Sequence, residues 1–479
     1  MDMTGLLELV TSQGARRVCV DSRLVKNGDI FVAVKGSIHD GHDFVDEALA
    51  RGAEYIVVQG SGHGTKLSDT GCKVIVVEDS GFAYGLLAQA SYGNPSRQLT
   101  NLAVTGTNGK TTVAFLVRSV IQQAGQKCGL IGTIVYETGT SSHEANMTTP
   151  DAGVIARMSR EMLDSKAKYM MIEASSHALA QNRLAGVEFR AAAFTNLTGD
   201  HLDYHRTMDD YLAAKGKLFE ELSANATAAL NKQSPQAEQI ACNTKANIIW
   251  YAIDEKTDLS AHIESIDITG TVFTLEYQGQ KQKIKTALPG RHNVSNHLAA
   301  AGLCLAVGFD LQSIAKGLGK LEIVPGRLER VDCGQGYHIF IDYAHTDDAL
   351  KNVLATLKPL CKGKLIVVFG CGGDRDRTKR PRMAKVAEEL ADFIIVTSDN
   401  PRTENPEDII NEVVAGFSQR DSVATEPDRK KAIELAIKNA DKNDIVLIAG
   451  KGHERYQIIG SEKIEFSDRK VTEDCLRRV

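Results

Sequence analysis

The sequence predicts an α/β protein of three domains. These are a small N-terminal α/β domain, a central P-loop-type mononucleotide-binding domain with a mostly parallel sheet and an appended small sheet, and a C-terminal Rossmann-like, doubly wound domain. Three observations predict this. At 479 residues the chain is too long for one hydrophobic core. Apolar runs of strand length alternate with helical stretches along most of it. Near residue 104 an apolar run, Leu102-Ala103-Val104, meets a glycine-rich turn and then an amphipathic segment, the order in which a phosphate loop joins its strand to its helix.

Composition narrows the function classes. Hydrophobic content of 43% and charged content of 24% are those of an ordinary globular protein, not a disordered one. A formal net charge of −5 argues against a nucleic-acid binder that relies on a strongly basic face and favours a small-molecule partner. Nine cysteines without a C-x-x-C pair or metal-ligand spacing suit a reducing compartment. The start, Met1-Asp2-Met3-Thr4-Gly5, lacks the regions of a signal peptide, and no apolar run reaches the roughly 18 residues a membrane helix needs. A cytoplasmic protein with no membrane segment is expected.

Residues 1–97 read as the first domain, with strands at Asp29-Ile30-Phe31-Val32-Ala33-Val34, Tyr55-Ile56-Val57-Val58 and Lys73-Val74-Ile75-Val76-Val77 and a helix from Phe44 to Arg51. Two polar clusters, Asp21-Ser22-Arg23 and the run from Lys35 to Phe44, are either ordinary turns or ligand-holding loops at strand ends. Asn94-Pro95-Ser96 marks the linker.

Residues 98–324 form the central domain, which opens on a cradle of Gly106, Thr107, Asn108, Gly109, Lys110, Thr111 and Thr112. Glycines let backbone N–H groups approach phosphate oxygens. The helix that follows points its positive end at them, Lys110 neutralises the β/γ charge, and the Thr111 hydroxyl can hold Mg²⁺. The spacing is compressed: Val104 stands five residues before Gly109, where a standard P-loop has glycine. An ordinary loop leading into a helix would share the same text. Further on, the strand Tyr169-Met170-Met171-Ile172-Glu173 ends in an acid, either a metal ligand or a solvated strand end; burial of an unpartnered carboxylate favours the metal role. After the strand Ala191-Ala192-Ala193-Phe194, two aspartates and two histidines crowd into Asp200-His201-Leu202-Asp203-Tyr204-His205, suggesting a second oxygen-rich cation position for Mg²⁺ or Mn²⁺. The helix from Met208 to Leu222 carries Lys215, to which composition alone gives no special status. Residues 247–288 alternate with period two and are expected to form a separate small sheet appended to the domain. His292 to His297 then leads into an alanine-rich helix, and Pro325-Gly326-Arg327 marks the last boundary.

Residues 325–479 carry four apolar strands, from Tyr337 to Asp342, Leu365 to Gly370, Phe393 to Thr397 and Asp444 to Ala449, separated by helices. Each ends in a glycine or polar run, and in a parallel sheet such runs gather on one rim outside the carboxyl ends. Together they carry Arg375, Arg402 and Glu454, a set able to hold both a carboxylate and an amine.

Taken together, Thr105 to Thr112, Glu173 to His177, Thr195 to Tyr204, His292 to Ala300, Gly326-Arg327, Asp342 to His345 and Gly450 to Glu454 resemble the bacterial Mur ligase family over essentially the whole chain. Asp399-Asn400-Pro401-Arg402 resembles the signature of its diaminopimelate-adding members. The resemblance implies an ATP-dependent, ADP-forming amide ligase of peptidoglycan precursor synthesis, acting as a monomer. Its reaction would add meso-2,6-diaminopimelate to the D-glutamate γ-carboxylate of UDP-N-acetylmuramoyl-L-alanyl-D-glutamate through an acyl phosphate. Carried over residue by residue, it implies that Ser22, with the loop from Lys35 to Phe44, contacts UDP, and that Thr148, Thr149, Ser175, Gln181 and Arg183 contact the muramoyl dipeptide. Asn293, Arg327 and Asp342 would face the adenine and ribose of ATP or help close the site. Thr111, Glu173, His201 and Lys215, the last as a carbamate, would hold Mg²⁺ or Mn²⁺, and Lys110, Glu173, His201 and Lys215 would be the catalytic set. Arg375, Asp399, Asn400, Pro401, Arg402, Gly450 and Glu454 would bind diaminopimelate. Two departures stand out: Asp347 occupies a position where the family has proline, and Met147 one where some relatives have asparagine. A folylpolyglutamate-type ligase shares the cradle, but the Asp-Asn-Pro-Arg run and the N-terminal domain speak against it. A nucleotide-binding switch without amide chemistry is the reading from another class.

Overall fold

A computed structural model describes residues 2–13, 17–36, 39–60 and 72–478. Among the described residues the strands form four sheets. The first is parallel, in the order β1 (Val18–Cys19), β2 (Ile30–Val32), β3 (Tyr55–Gln59), β4 (Lys73–Val77). Ser37 and Ile38, in the loop read as a ligand-holding turn, lie outside the described residues.

The central sheet has eleven strands. In chain order they are β5 (Thr100–Thr105), β6 (Cys128–Ile131), β7 (Val135–Glu137), β8 (Ser142–Glu144), β9 (Tyr169–Glu173), β10 (Phe189–Phe194), β11 (Thr227–Asn231), β12 (Asn247–Ile253), β13 (Leu259–Asp267), β14 (Gly270–Tyr277) and β15 (Gln280–Thr286). In space they run β15-β14-β13-β12-β11-β10-β5-β9-β6-β7-β8. The middle is parallel, and each edge is finished by an antiparallel meander. The expectation of a separate sheet over 247–288 is corrected. Tyr251, Ala252 and Ile253 of β12 pair in parallel with Leu259, Ser260 and Ala261 of β13, so these strands extend the central sheet. Period-two patterning identifies a strand without saying which edge it joins.

Both faces of this sheet are covered, so its strands read as continuous apolar runs. Leu102 and Val104 of β5 pack with the helices Lys110–Gln123 and Arg291–Ala306, whereas Ala103 packs with Ala152–Asp164 and Met208–Glu220. Register then places the chemistry. Val104 of β5 pairs with Glu173 of β9, and Thr105 with Phe194 of β10, so the carboxyl ends of three strands deliver Gly106, Glu173 and Thr195 to one spot.

The third sheet comprises β16 (Glu329–Val331), β17 (His338–Asp342), β18 (Leu365–Phe369), β19 (Phe393–Val396), β20 (Val423–Thr425) and β21 (Ile445–Ala449). Its order is β16-β17-β21-β18-β19-β20, parallel except for β16. The four expected strands are its four central ones, and their carboxyl ends share one rim. A hairpin of β22 (Tyr456–Ile459) and β23 (Glu462–Glu465), absent from the sequence reading, stands beside that rim.

Under the rim Arg429 and Asp468 form an ion pair with no exposed side-chain surface. Arg429 Nε and Nη2 donate to the two carboxylate oxygens at 2.7 Å, and Nη2 also donates to the Ala449 carbonyl at 2.9 Å. Removing one partner leaves a buried, uncompensated charge. Asp468→Ala is therefore expected to lower stability by about 3–5 kcal/mol, and Arg429→Met with Asp468→Leu by less than that single change. Urea unfolding followed by circular dichroism measures both, and a neutral Asp468→Ala would refute the expectation. Among the described residues no helix is long and apolar enough to cross a membrane.

Candidate active site

The cradle needs glycine at two points. Gly106 has φ +147° and Gly109 φ +90°, and a Cβ would collide with Thr195 Oγ1 at the first and with Asn296 Oδ1 at the second. The loop is braced by the end of β10. Thr107 N donates to the Asn196 carbonyl (2.9 Å), Asn108 N to Asn196 Oδ1 (2.9 Å), and Thr195 Oγ1 to the Asn108 carbonyl (2.6 Å). Gly109 caps the helix Lys110–Gln123, so the positive end of that helix faces the loop.

Glu173 is almost fully buried. It accepts hydrogen bonds from Thr111 Oγ1, Thr133 N and Thr133 Oγ1, each at 2.9 Å, so it is no solvated strand end. Arg327 Nη2 donates to Thr111 Oγ1 at 3.2 Å and its guanidinium lies 4.6 Å from the Tyr343 ring centroid, bringing the C-terminal domain onto the cradle. Asp348 adds a second tie across the same seam, accepting from Asn108 Nδ2 (2.8 Å) and Thr198 Oγ1 (3.1 Å). Asp342 accepts backbone hydrogen bonds from Leu328 (2.6 Å) and Ala344 (2.8 Å), and burial raises its pKa above the usual carboxylate range.

Two lysines converge on one carbonyl. Lys110 Nζ donates to Gly106 O (2.8 Å) and Thr107 O (2.9 Å), and Lys215 Nζ to Gly106 O (2.8 Å). Lys215 is buried, with Nζ 4.4 Å from the Tyr211 ring centroid. Burial pushes its ammonium well below the usual lysine range, and the nearby charge of Lys110 pushes the same way. Burial also lowers Lys110, but Glu173 and Asp200 oppose that shift.

A cavity of about 500 Å³ is lined by residues 107–112 with Thr148, Glu173, His201, Asn293, Arg327 and Asp342. A second, of about 400 Å³, is lined by Arg375, Asp399, Asn400, Arg402, Gly450 and Glu454 among others. Asp200, His201, Tyr343, His345 and Thr346 line both, so the two spaces meet there. Neither Lys215 nor Pro401 lines either of these two cavities. Among the described residues no group of three or more His, Cys, Asp or Glu is placed to hold a metal ion. The Thr111 hydroxyl and the Glu173 carboxylate are hard oxygen donors side by side, which fits a cation completing its shell with water and phosphate oxygens.

In the second cavity Asn400 Nδ2 (3.0 Å) and Lys451 Nζ (2.8 Å) donate to Glu454 Oε2, and Lys451 Nζ also donates to Asn400 Oδ1 (3.0 Å). Arg402 is part-buried with Nη1 on the Gly373 carbonyl (2.7 Å); burial, and then the like charge of Arg375, lower its pKa.

The expected dipeptide contacts form their own network beside Glu173. Thr149 Oγ1 donates to the Glu173 carbonyl (2.6 Å), Ser175 N donates to Thr149 Oγ1 (3.0 Å), and Ser175 caps the helix Ser176–Ala180. Arg183 donates to the Thr149 carbonyl (2.8 Å) and through Nε to Gln181 Oε1 (3.0 Å), while Thr148 Oγ1 lies 3.1 Å from Thr133 Oγ1. Ser22 is apart from all of these: its hydroxyl donates to Glu47 Oε2 at 2.7 Å in the N-terminal domain. Asn196, Asn296, Asp348 and Lys451 were not singled out. Asn296 sits one helical turn after Asn293, the spacing that could have found it.

Family comparison agrees with this geometry. A model described as the Mur ligase middle domain matches residues 104–304, one described as the Mur ligase glutamate ligase domain matches 326–452, and one described as the Mur ligase family catalytic domain matches 15–91. Among the relatives is a UDP-N-acetylmuramoyl-L-alanyl-D-glutamate--2,6-diaminopimelate ligase of Geobacillus kaustophilus, 44% identical over 465 residues, covering 96% of this chain and 94% of the relative. A Clostridium botulinum protein of the same name is 40% identical, with the same coverage of both chains. A solved structure of a ligase of that name superposes with a TM-score of 0.67 at 33% identity over 97% of this chain and 95% of that one. The fold is shared more widely: Thermotoga maritima MurF ligase in complex with ADP has a TM-score of 0.64 at 20% identity, covering 98% of this chain and all of the other.

Proposed function

The chain belongs to the Mur ligase family, and on that premise we propose that it is the ATP-dependent ligase that adds meso-2,6-diaminopimelate to UDP-N-acetylmuramoyl-L-alanyl-D-glutamate. The observation that carries the reading is the junction of two cavities, one on a phosphate cradle and one on a rim of arginines and carboxylates. We read 1–97 as the UDP-substrate domain, 98–324 as the ATP domain and 325–479 as the amino-acid domain, working in the cytoplasm.

Amide formation from a free carboxylate is uphill in water, so the γ-carboxylate first takes the γ-phosphoryl group of ATP, giving an acyl phosphate and ADP. Positioning and charge neutralisation carry that step. The N–H groups of Gly109 and of the first turn of the helix Lys110–Gln123 cradle the phosphates, those of Thr107 and Asn108 being taken up by Asn196, and Lys110 turns from its own loop carbonyls to the β/γ oxygens. Thr111, Glu173, His201 and Lys215, the last as a carbamate, would hold Mg²⁺ or Mn²⁺, which supplies charge neutralisation at the phosphate oxygens when bound. Lys215 suits carbamylation because burial lowers its pKa and so favours the neutral amine, the form that attacks CO₂ and releases a proton. Thr148, Thr149, Ser175, Gln181 and Arg183 hold the dipeptide beside Glu173. The amine of diaminopimelate then attacks the acyl carbon, the tetrahedral intermediate expels phosphate, and the amine loses a proton. His345 stands at the cavity junction to receive it: its Nδ1–H donates to the Tyr343 carbonyl (2.9 Å), which leaves Nε2 as the basic nitrogen.

The test is phosphate release from ATP by the purified protein. Release is expected only when both the UDP-linked dipeptide and diaminopimelate are present, with one amide formed per ATP consumed. Hydrolysis indifferent to both would favour a nucleotide switch, and release driven by a folate and glutamate would favour the other ligase class.

A further inference from the structure

Arg402 has a backbone φ of +53°, the left-handed region that a residue with a Cβ holds only where its surroundings over-determine it. The surroundings here are the hairpin of β22 and β23. Arg402 N donates to the Ile458 carbonyl (3.1 Å) and Gly460 N donates to the Arg402 carbonyl (2.7 Å), forming a bridge between Arg402 and Ile459. The same strand reaches further back along the loop. Ile458 N donates to Asn400 Oδ1 (3.0 Å), and Gln457 Nε2 donates to the Asp399 carbonyl (2.7 Å). The first and last residues of the Asp399–Arg402 segment are thus gripped by one four-residue strand. A two-stranded hairpin is marginal by itself, so each of these bonds holds the hairpin as well as the loop.

We propose that Gln457 is a positioning residue for amino-acid selection: it seats the Asp399–Arg402 segment on the hairpin and so fixes where the Arg402 guanidinium points. Gln457 lines neither cavity and acts through the loop. Its amide is the side-chain donor in the grip, the others being main-chain groups that a substitution leaves in place. The proposal rests on the reading of this rim as the diaminopimelate pocket. A loosened Arg402 meets the second carboxylate of diaminopimelate less often, whereas lysine, which has no such carboxylate, loses nothing.

The experiment compares wild type with Gln457→Met, which keeps length and packing but cannot donate, and with Gln457→Glu, which places a carboxylate against the Asp399 carbonyl. For both variants the KM for diaminopimelate is expected to rise about tenfold, the equivalent of one lost positioned hydrogen bond, with the KM for ATP moving by less than about twofold. The kcat/KM ratio of diaminopimelate to lysine is expected to fall by the same factor as the diaminopimelate KM rises. ADP binding by calorimetry checks that the variants remain folded. Unchanged diaminopimelate KM and selectivity, or equal movement of every KM, would overturn the proposal while leaving the pocket reading intact. A wild-type enzyme indifferent between the two amino acids would overturn the pocket reading and the proposal with it.

Discussion

Lys110→Ala is expected to lower kcat by about 10²–10³, the effect of removing one preorganised charge from a phosphoryl-transfer site. Its ammonium is held 2.8 Å and 2.9 Å from the Gly106 and Thr107 carbonyls, poised on the loop that would cradle the phosphates. Swinging to a triphosphate exchanges two neutral acceptors for anionic oxygens, which strengthens each hydrogen bond. The charge is needed most as it shifts towards the leaving β-phosphate, so kcat falls more than the KM for ATP rises. Lys215→Ala is expected to be comparably damaging by a different route, because Lys215 reaches the cradle from the helix Met208–Glu220 by donating to the Gly106 carbonyl. Its loss removes the proposed carbamate and leaves a cavity where the buried side chain meets Gly106. Single-turnover formation of acyl phosphate, trapped as the hydroxamate, measures both variants. A Lys110→Ala enzyme within about threefold of wild type would refute the role, since that is under 1 kcal/mol of barrier.

The cradle was legible because its signals are local. A strand, two glycines with left-handed φ and a Lys-Thr pair lie within a dozen residues, and β5, β9 and β10 end where an alternating α/β pattern says they should. The rim of the C-terminal sheet was legible for the same reason: parallel strands put their carboxyl ends together whatever their order. What escaped is long-range. That β13 adds to β12 depends on an edge pairing no local pattern specifies. The tie between Asn108 and Asp348 joins residues 240 positions apart, and neither carries a mark of it. Lys215 looks like any helix lysine until the fold buries it beneath Gly106. The hairpin Tyr456–Glu465 is short and half polar, and what stabilises it is the loop it grips.

Lysine offered in place of diaminopimelate is expected to have a kcat/KM lower by about 10³ or more, because a site built to bond a group rejects an analogue that lacks it far more strongly than an apolar pocket rejects a missing methylene. The two amino acids differ by one carboxylate. On the proposed assignment that carboxylate pairs with Arg402, whose burial and proximity to Arg375 already lower its pKa and so favour an anion beside it. With lysine the like charges of Arg375 and Arg402 would share the cavity without an anion to offset them, and the side-chain ammonium would add a third positive charge. Glu454 does not rescue lysine, since its Oε2 is already engaged by Lys451 and Asn400. Arg402→Ala separates attraction from fit. It is expected to cost diaminopimelate about 2–5 kcal/mol in kcat/KM, the range for truncating one partner of a desolvated charge pair, and to cost lysine little, so the preference collapses from one side only. Arg402→Lys is expected to fall near alanine, because a point charge on a flexible stem does not reproduce the planar fork. Competition assays with both amino acids in one reaction, read by mass spectrometry of the UDP-linked product, measure the ratio directly. Equal incorporation by the wild type would refute the assignment of Arg402 and Arg375 to the second carboxylate. A selective wild type whose preference survives Arg402→Ala would move the discrimination to another part of the rim.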